Sequence, residues 1–251
     1  MPLIENMVEV TTKYGIMPAF TACPIAGGPH PAVIFYMDAP GFREELKHMA
    51  RRIAKAGYFC ILPDLYYRLG TIRLDIVRRN DGMTTVLRAA MGTLSNADVV
   101  DDTAGILQYI DGRAEAAAGP VGCVGHCMSG RFVTTVAARY PTRMRAAASM
   151  YGVGIVTDKP ESPHLLLKQV QGELLFFFAE NDVHVPAPVI PALKKALKAA
   201  KVKATVVQAP GTEHGYQFPE RGAYAAVQAE AAWDKLFELW DRNLKPKARK
   251  K

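Results

Sequence analysis

Midway along the chain, Gly125-His126-Cys127-Met128-Ser129-Gly130 joins the run Pro120 to Val124 to the helical pattern of Arg131 to Tyr140. A strand, a very tight turn and a helix in that order push the apical side chain out of the backbone into a cleft. The apical residue is Cys127. Such a turn is strained, so its close neighbours must be small, and Gly125, Ser129 and Gly130 meet that demand. The N–H groups that open the following helix favour a thiolate and hold a developing oxyanion. The common form of the turn has serine at the apex and glycine two places later. Here cysteine is the nucleophile, and Ser129 takes the second glycine position. A buried, inert cysteine beside a glycine turn reads the same over six residues, so the partners decide.

Two partners stand further along. Asp182 follows the apolar run Glu173 to Ala179, and His214 follows the run Lys203 to Gln208. Nucleophile, acid and histidine thus come in that chain order, each just past a strand end. The chemistry divides naturally among them. Cys127 attacks an acyl carbon and carries the acyl group, while His214 takes the thiol proton and later activates water. Asp182 orients the imidazole and stabilises its cation. The backbone N–H groups of Met128 and Ala39 are the expected oxyanion donors. Alone, Asp182 reads equally as a loop cap and His214 as a solvated turn residue; their joint placement with Cys127 is what carries the reading. His126 is expected to be structural, and His184 to belong to the Asp182 loop. His30, His48 and His164 have no partner at ligand spacing. Zinc on Cys123, His126 and Cys127 is a poor fit, because a strand ending in a sharp turn splays them apart. With no glycine-rich phosphate loop either, neither metal nor cofactor is expected.

The elements that must position these groups follow from the apolar pattern. Short strands are expected over Met7–Thr12 and Pro18–Pro24. Ala32–Met37 and Tyr58–Leu62 read as buried strands, the first on both faces, and the run after Pro120, Ala146–Tyr151, Glu173–Ala179 and Lys203–Gln208 as further strands. Helical spacing covers Arg43–Lys55, about Ala97–Arg113 with Asn96 or Asp98 as cap, Arg131–Tyr140, Pro188–Ala200 and Gly222–Leu244. The stripe of Trp233, Phe237 and Trp240 is core packing. Asp64 to Asn96 is the least regular stretch, and a long segment leaving a strand end is a candidate substrate wall. It and its surroundings supply Tyr66, Arg78, Arg79, Arg88 and Tyr151 as candidate substrate-binding residues. Alternating strands and helices predict an α/β fold with a mostly parallel central sheet and helices on both faces. Function in such folds gathers at the C-terminal ends of strands.

The chain of 251 residues suits one large α/β domain, over 1–244, with 49% hydrophobic and 22% charged residues. Five of its seven net positive charges sit in the tail 245–251, which reads as a solvated, disordered end. Nucleic acid is not an expected partner. No apolar run approaches ~18 residues, so no membrane span is expected. Four cysteines without a disulfide framework, and no leader pattern at the N-terminus, point to a cytoplasmic setting. A monomer or a homodimer acting on a small molecule fits these numbers.

The chain resembles the dienelactone hydrolase family over nearly its whole length. The resemblance rests on Gly-His-Cys-Met-Ser-Gly at 125–130, Pro-Asp-Leu-Tyr at 63–66, Tyr-Gly-Val-Gly at 151–154, Asp-Val-His-Val-Pro-Ala-Pro at 182–188 and Glu-His-Gly-Tyr at 213–216. It implies an α/β-hydrolase fold, a Cys127–His214–Asp182 triad, and hydrolysis of dienelactones (carboxymethylenebutenolides) to maleylacetate-type acids during degradation of chlorinated aromatics. Two positions depart from the family pattern. Family members carry a glutamate after the first buried strand that contacts the thiol and helps control its ionisation; Asp38 stands there, one methylene shorter. The family also binds a substrate carboxylate with arginines, one shortly after the histidine, whereas here no arginine occurs until Arg221. A broader carboxylesterase or thioesterase on short activated esters is therefore a second reading. A non-catalytic binder of a small molecule or partner is a third.

Overall fold

A computed structural model describes residues 1–245. Most of the tail expected at 245–251 lies outside the described residues. The apolar runs become the strands of one eight-stranded sheet. They are β1 (Leu3–Thr12), β2 (Gly15–Pro24), β3 (His30–Tyr36), β4 (Phe59–Pro63), β5 (Ala116–His126), β6 (Met144–Met150), β7 (Glu173–Asn181) and β8 (Ala204–Glu213). Their spatial order is β1-β2-β4-β3-β5-β6-β7-β8. The β1–β2 and β2–β4 pairs are antiparallel, and every pair from β4–β3 to β7–β8 is parallel. β5, which delivers Cys127, is therefore interior to the sheet, between β3 and β6.

The helices are α1 (Glu44–Lys55), α2 (Asp81–Gly92), α3 (Asn96–Asp111), α4 (Ser129–Arg139), α5 (Val189–Ala200) and α6 (Ala226–Leu244). Alternation along β5 shows how they cover both faces. A Cβ on Gly122 would come within 2.9 Å of Trp240 on α6, whereas one on Gly125 would meet the Ser129 carbonyl of α4 at 2.5 Å. An odd spacing separates these glycines, so they point to opposite faces of the sheet. α6 and α4 hence lie on opposite sides. α3 packs with α4, and α1 is bridged to α6 by Arg52 and Glu230 at 2.6 Å. The aromatic stripe of α6 is core, as expected, with Trp240 fully buried against Tyr58.

Several boundaries differ from expectation for local reasons. The stretch 64–96 is more ordered than its sequence suggests: a short 3₁₀ turn spans Tyr67–Leu69, and α2 follows, its start capped by Asn80 accepting from the Met83 N–H. The cap of α3 is Ser95, not Asn96 or Asp98; Ser95 and Asp98 form a reciprocal capping box. A further 3₁₀ helix, Pro163–Gln169, had no periodic signal. No described helix is long and apolar enough to cross a membrane.

Glu173 opens β7 and fastens α6 to the sheet. Buried to 5% exposure, it accepts from Arg242 at 2.6 Å, Lys203 at 2.8 Å and Asn243 at 2.9 Å. Burial disfavours its charge, but these partners outweigh burial and bring it down from about 4.5 to about 2. A depressed carboxyl stabilises the fold above its unfolded value, and that contribution is lost as pH falls toward the folded one. Glu173→Gln is expected to cost about 2 kcal/mol at neutral pH. It should also flatten the loss of stability between about pH 4.5 and 2. Urea titrations across that range measure both effects.

Candidate active site

The turn between β5 and α4 places Cys127 at φ 55°, in the left-handed region that non-glycine residues rarely enter. Its backbone is held on every side. The Cys127 N–H donates to the Met150 carbonyl, and its own carbonyl accepts from Gly130 and Val153 at 3.1 and 3.0 Å. A Cβ on Gly130 would come within 2.4 Å of the Gly152 Cα. The tight approach thus falls at Gly130, which frees Ser129 to carry a side chain. Ser129 is fully buried, and its hydroxyl donates to the Met37 carbonyl at the end of β3. The serine in a glycine position ties the turn to the neighbouring strand.

Among the described cysteines, Cys23, Cys60 and Cys123 are buried and Cys127 is partly exposed. Burial pushes the Cys60 and Cys123 thiols up, which suits inert core residues.

His214, just past β8, donates from Nδ1 to Asp182 Oδ2 at 2.8 Å. The other Asp182 oxygen accepts the His184 N–H at 2.9 Å, so both oxygens are directed. Burial works against the His214 cation. The Asp182 hydrogen bond, then the adjoining Cys127 sulfur, outweigh it and push the imidazole up to about 9. His214 Nε2 makes no hydrogen bond of ordinary geometry in this structure and is buried without a partner. The Tyr151 ring stands edge-on to the imidazole at 5.1 Å and the His184 ring at 4.7 Å. Those two contacts restrict the imidazole to the plane its Asp182 bond requires.

The residues whose N–H groups are the expected oxyanion donors share one neighbour, Tyr66. Met128 is the N-cap of α4, and Ala39 follows β3. Tyr66 links them: its hydroxyl donates to the Ala39 carbonyl at 2.8 Å and lies 3.6 Å from the Met128 sulfur. Tyr66 is 1% exposed and Tyr151 is fully buried. Both are expected from the sequence to touch substrate; in the structure Tyr66 is buried against the loop after β3 and Tyr151 packs behind His214. Arg78 is exposed beside Asp75, and Arg88 is exposed on α2. Arg79 is anchored to Thr84 at 3.0 Å; His184 is lowered by burial and then by His214, with Arg79 adding least.

Asp38 departs from expectation. It is fully buried, and its oxygens are taken by guanidinium groups rather than by the thiol. Arg43 donates to Oδ1 at 2.5 Å and to Oδ2 at 3.3 Å, and Arg221 donates to Oδ2. Arg221 looked too distant in sequence to serve the histidine loop. Turns at Phe218 and Arg221 fold it back. Its guanidinium lies over Phe218 at 4.4 Å and so close to Gly215 that a Cβ there would meet Nη1 at 2.7 Å. Neither Arg43 nor Arg221 carried a sequence signal for this role, because the pairing is set by how two loops fold together.

His126 is enclosed by Phe35, Tyr151 and Phe218, and burial pulls it down to about 3. It is a neutral ring under the site, consistent with a structural role. Among the described residues, no three His, Cys, Asp or Glu side chains are placed to hold a metal ion.

The dienelactone hydrolase family model matches residues 17–244. The chain belongs to the dienelactone hydrolase family. A relative from Methylorubrum extorquens, provisionally named carboxymethylenebutenolidase, is 27% identical over 238 residues, covering 93% of this chain and 79% of its own. One from Synechocystis with the same provisional name is 28% identical, covering 96% and 97%. A crystal structure from Klebsiella pneumoniae, provisionally named a dienelactone hydrolase, superposes with a TM-score of 0.86 at 24% identity, covering 96% of this chain and all of that one. The protein is thus a hydrolase of this family on the α/β-hydrolase fold, as the motifs led one to expect.

Two variants probe the electrostatics. Cys127→Ala removes one of the groups holding up His214, so its pKa should fall below about 9 by NMR titration. Asp38→Asn leaves Arg43 and Arg221 without their shared counter-charge. It should cost about 3 kcal/mol in urea unfolding, as truncating a buried ion pair does.

Proposed function

We propose that this dienelactone hydrolase family member opens enol-lactones of the dienelactone type through a covalent thioester on Cys127. The observation that carries the reading is the directed Asp182–His214 pair facing a cysteine held at positive φ on the sharp turn. In the first step, Cys127 Sγ attacks the lactone carbonyl carbon as a thiolate, with the proton on His214. The carbonyl oxygen becomes an oxyanion at the N–H groups of Met128 and Ala39. Collapse breaks the ring C–O bond, and His214 gives its proton to the departing enol oxygen. That oxygen stays tethered to the acyl chain. Water then adds to the thioester carbon while His214 takes its proton, the C–S bond breaks, and the dicarboxylic acid leaves. An enolate is a stabilised leaving group, which suits a thiolate nucleophile.

A broader esterase or thioesterase activity on short activated acyl groups is the second reading. It is favoured by the engagement of both Arg43 and Arg221 with Asp38, which leaves neither free for a substrate carboxylate. Comparing kcat/KM for a carboxylated lactone and its neutral analogue decides between the two. A preference for the acid supports the first reading, and its weakening in Arg79→Met would assign the contact.

Cys127→Ala should lower kcat/KM on either substrate class by about 10³-fold or more, and Cys127→Ser should retain a trace. Undiminished turnover in the alanine variant would remove the mechanism. The pH profile of the unmodified enzyme should fall on the alkaline side as pH rises through about 9, where His214 loses the proton it must donate.

A further inference from the structure

A cavity of about 890 Å³ opens between the α2–α3 connection, one face of α4 and the segment 157–166, which runs into the 3₁₀ helix Pro163–Gln169. None of Cys127, Asp182 or His214 lines it. Arg131, Thr135 and Arg139 form its α4 wall, spaced i, i+4, i+8 and so aligned on one face. Met91, Leu94, Val100 and Leu166 supply apolar walls.

Arg131 is anomalous. Its Nη2 donates to the Leu94 carbonyl at 2.9 Å, but its Nε is buried without a partner. Burial pulls the guanidinium below the ordinary arginine value, and the ionisable neighbour that offsets this is only the Tyr66 phenol. Among the described residues no carboxylate pairs with it. The two acids of the cavity do not compensate: Asp101 is held by Lys13 at 2.9 Å and Tyr14 at 2.8 Å, and Glu161 sits exposed at the rim. Lys159 and Arg139 add further positive charge. A half-buried guanidinium without a counter-charge is unfavourable, and an anion arriving in the cavity relieves that.

We propose that this cavity is a second binding site, separate from the catalytic cleft, for a small amphipathic organic carboxylate whose anionic end pairs with Arg131. The volume is within the range of small-molecule sites and far exceeds what an inorganic anion fills. The apolar walls match a hydrocarbon or aryl body, and a planar guanidinium matches a carboxylate. The site lies against the helix that begins at the nucleophile, and its ligand stays clear of the sulfur. The inference stands apart from the catalytic reading.

The test uses the folded, full-length protein at pH 7 with 1-anilinonaphthalene-8-sulfonate as a fluorescent amphipathic anion and 4-phenylbutyrate as competitor. Saturable binding at one site per chain, displaced by 4-phenylbutyrate and not by equimolar inorganic phosphate, is the expected result. Arg131→Met should weaken binding about tenfold or more while leaving the melting temperature at or above that of the unmodified protein. Leu166→Trp, which narrows the cavity and keeps the charge, should weaken binding too. Prior alkylation of Cys127 with iodoacetamide should change nothing. Unchanged affinity in Arg131→Met, equal displacement by phosphate, or loss of binding after alkylation would each overturn the assignment. A drop in melting temperature in Arg131→Met with binding retained would show that the arginine is a structural clamp.

Discussion

The architecture depends on one strained backbone position. At φ 55° Cys127 occupies a conformation that costs a non-glycine residue about 1–3 kcal/mol, and it persists only where the surroundings over-determine it. Here they do. Met150 accepts its N–H, Gly130 and Val153 donate to its carbonyl, and Ser129 ties the next turn of chain to Met37. Three strands, β3, β5 and β6, therefore hold the turn through their C-terminal ends. The placement of Cys127 follows from sheet order: only an interior strand has neighbours on both sides to supply such restraints.

The second fixed point is the carboxylate of Asp38, which joins parts of the site far apart in sequence. Arg43 reaches it from the start of α1, and Arg221 from the loop beyond His214. Ala39, the adjacent residue, lies in the loop that follows β3. The ion pairs thus set the distance between that loop and the histidine loop. Buried charge pairs add little net stability relative to apolar packing, but leaving one partner alone is costly. Their value is geometric. They admit one docking of the two loops and penalise others.

Much of this was legible in the sequence. Runs such as Ala-Val-Ile-Phe-Tyr and Leu-Leu-Phe-Phe-Phe are apolar at every position, so a sheet buried on both faces follows directly. Cys127, Asp182 and His214 could be placed because each stands at a strand end, where the strand itself aims the residue. Asp182 and His214 meet at 2.8 Å as that logic requires. What stayed hidden depends on loops meeting loops. Tyr66 and Tyr151 look like substrate contacts because aromatic residues near strand ends often are, but their burial is decided by neighbours that periodicity does not report. Arg221 was read by its distance along the chain, whereas two successive turns bring it back to Gly215. The cap of α3 is ambiguous in the sequence because Ser95, Asn96 and Asp98 each suit the position and only the helix start decides among them.

The same packing explains how one charge state can dominate near the sulfur. Burial lifts the phenol of Tyr151, which abuts the imidazole, far above its ordinary range, and drives His126 behind it down to about 3. His184 is lowered by burial and then by His214 itself. The local proton therefore concentrates on His214, whose folded value of about 9 exceeds the ordinary 6.5. A raised histidine stabilises the fold fully below its unfolded value, and this contribution fades as pH climbs through the folded one. Between roughly pH 6.5 and 9 the site gives up stability as it loses that proton. The Asp182 bond therefore does two jobs with one geometry: it orients the imidazole, and it makes protonation of that ring favourable in the folded state.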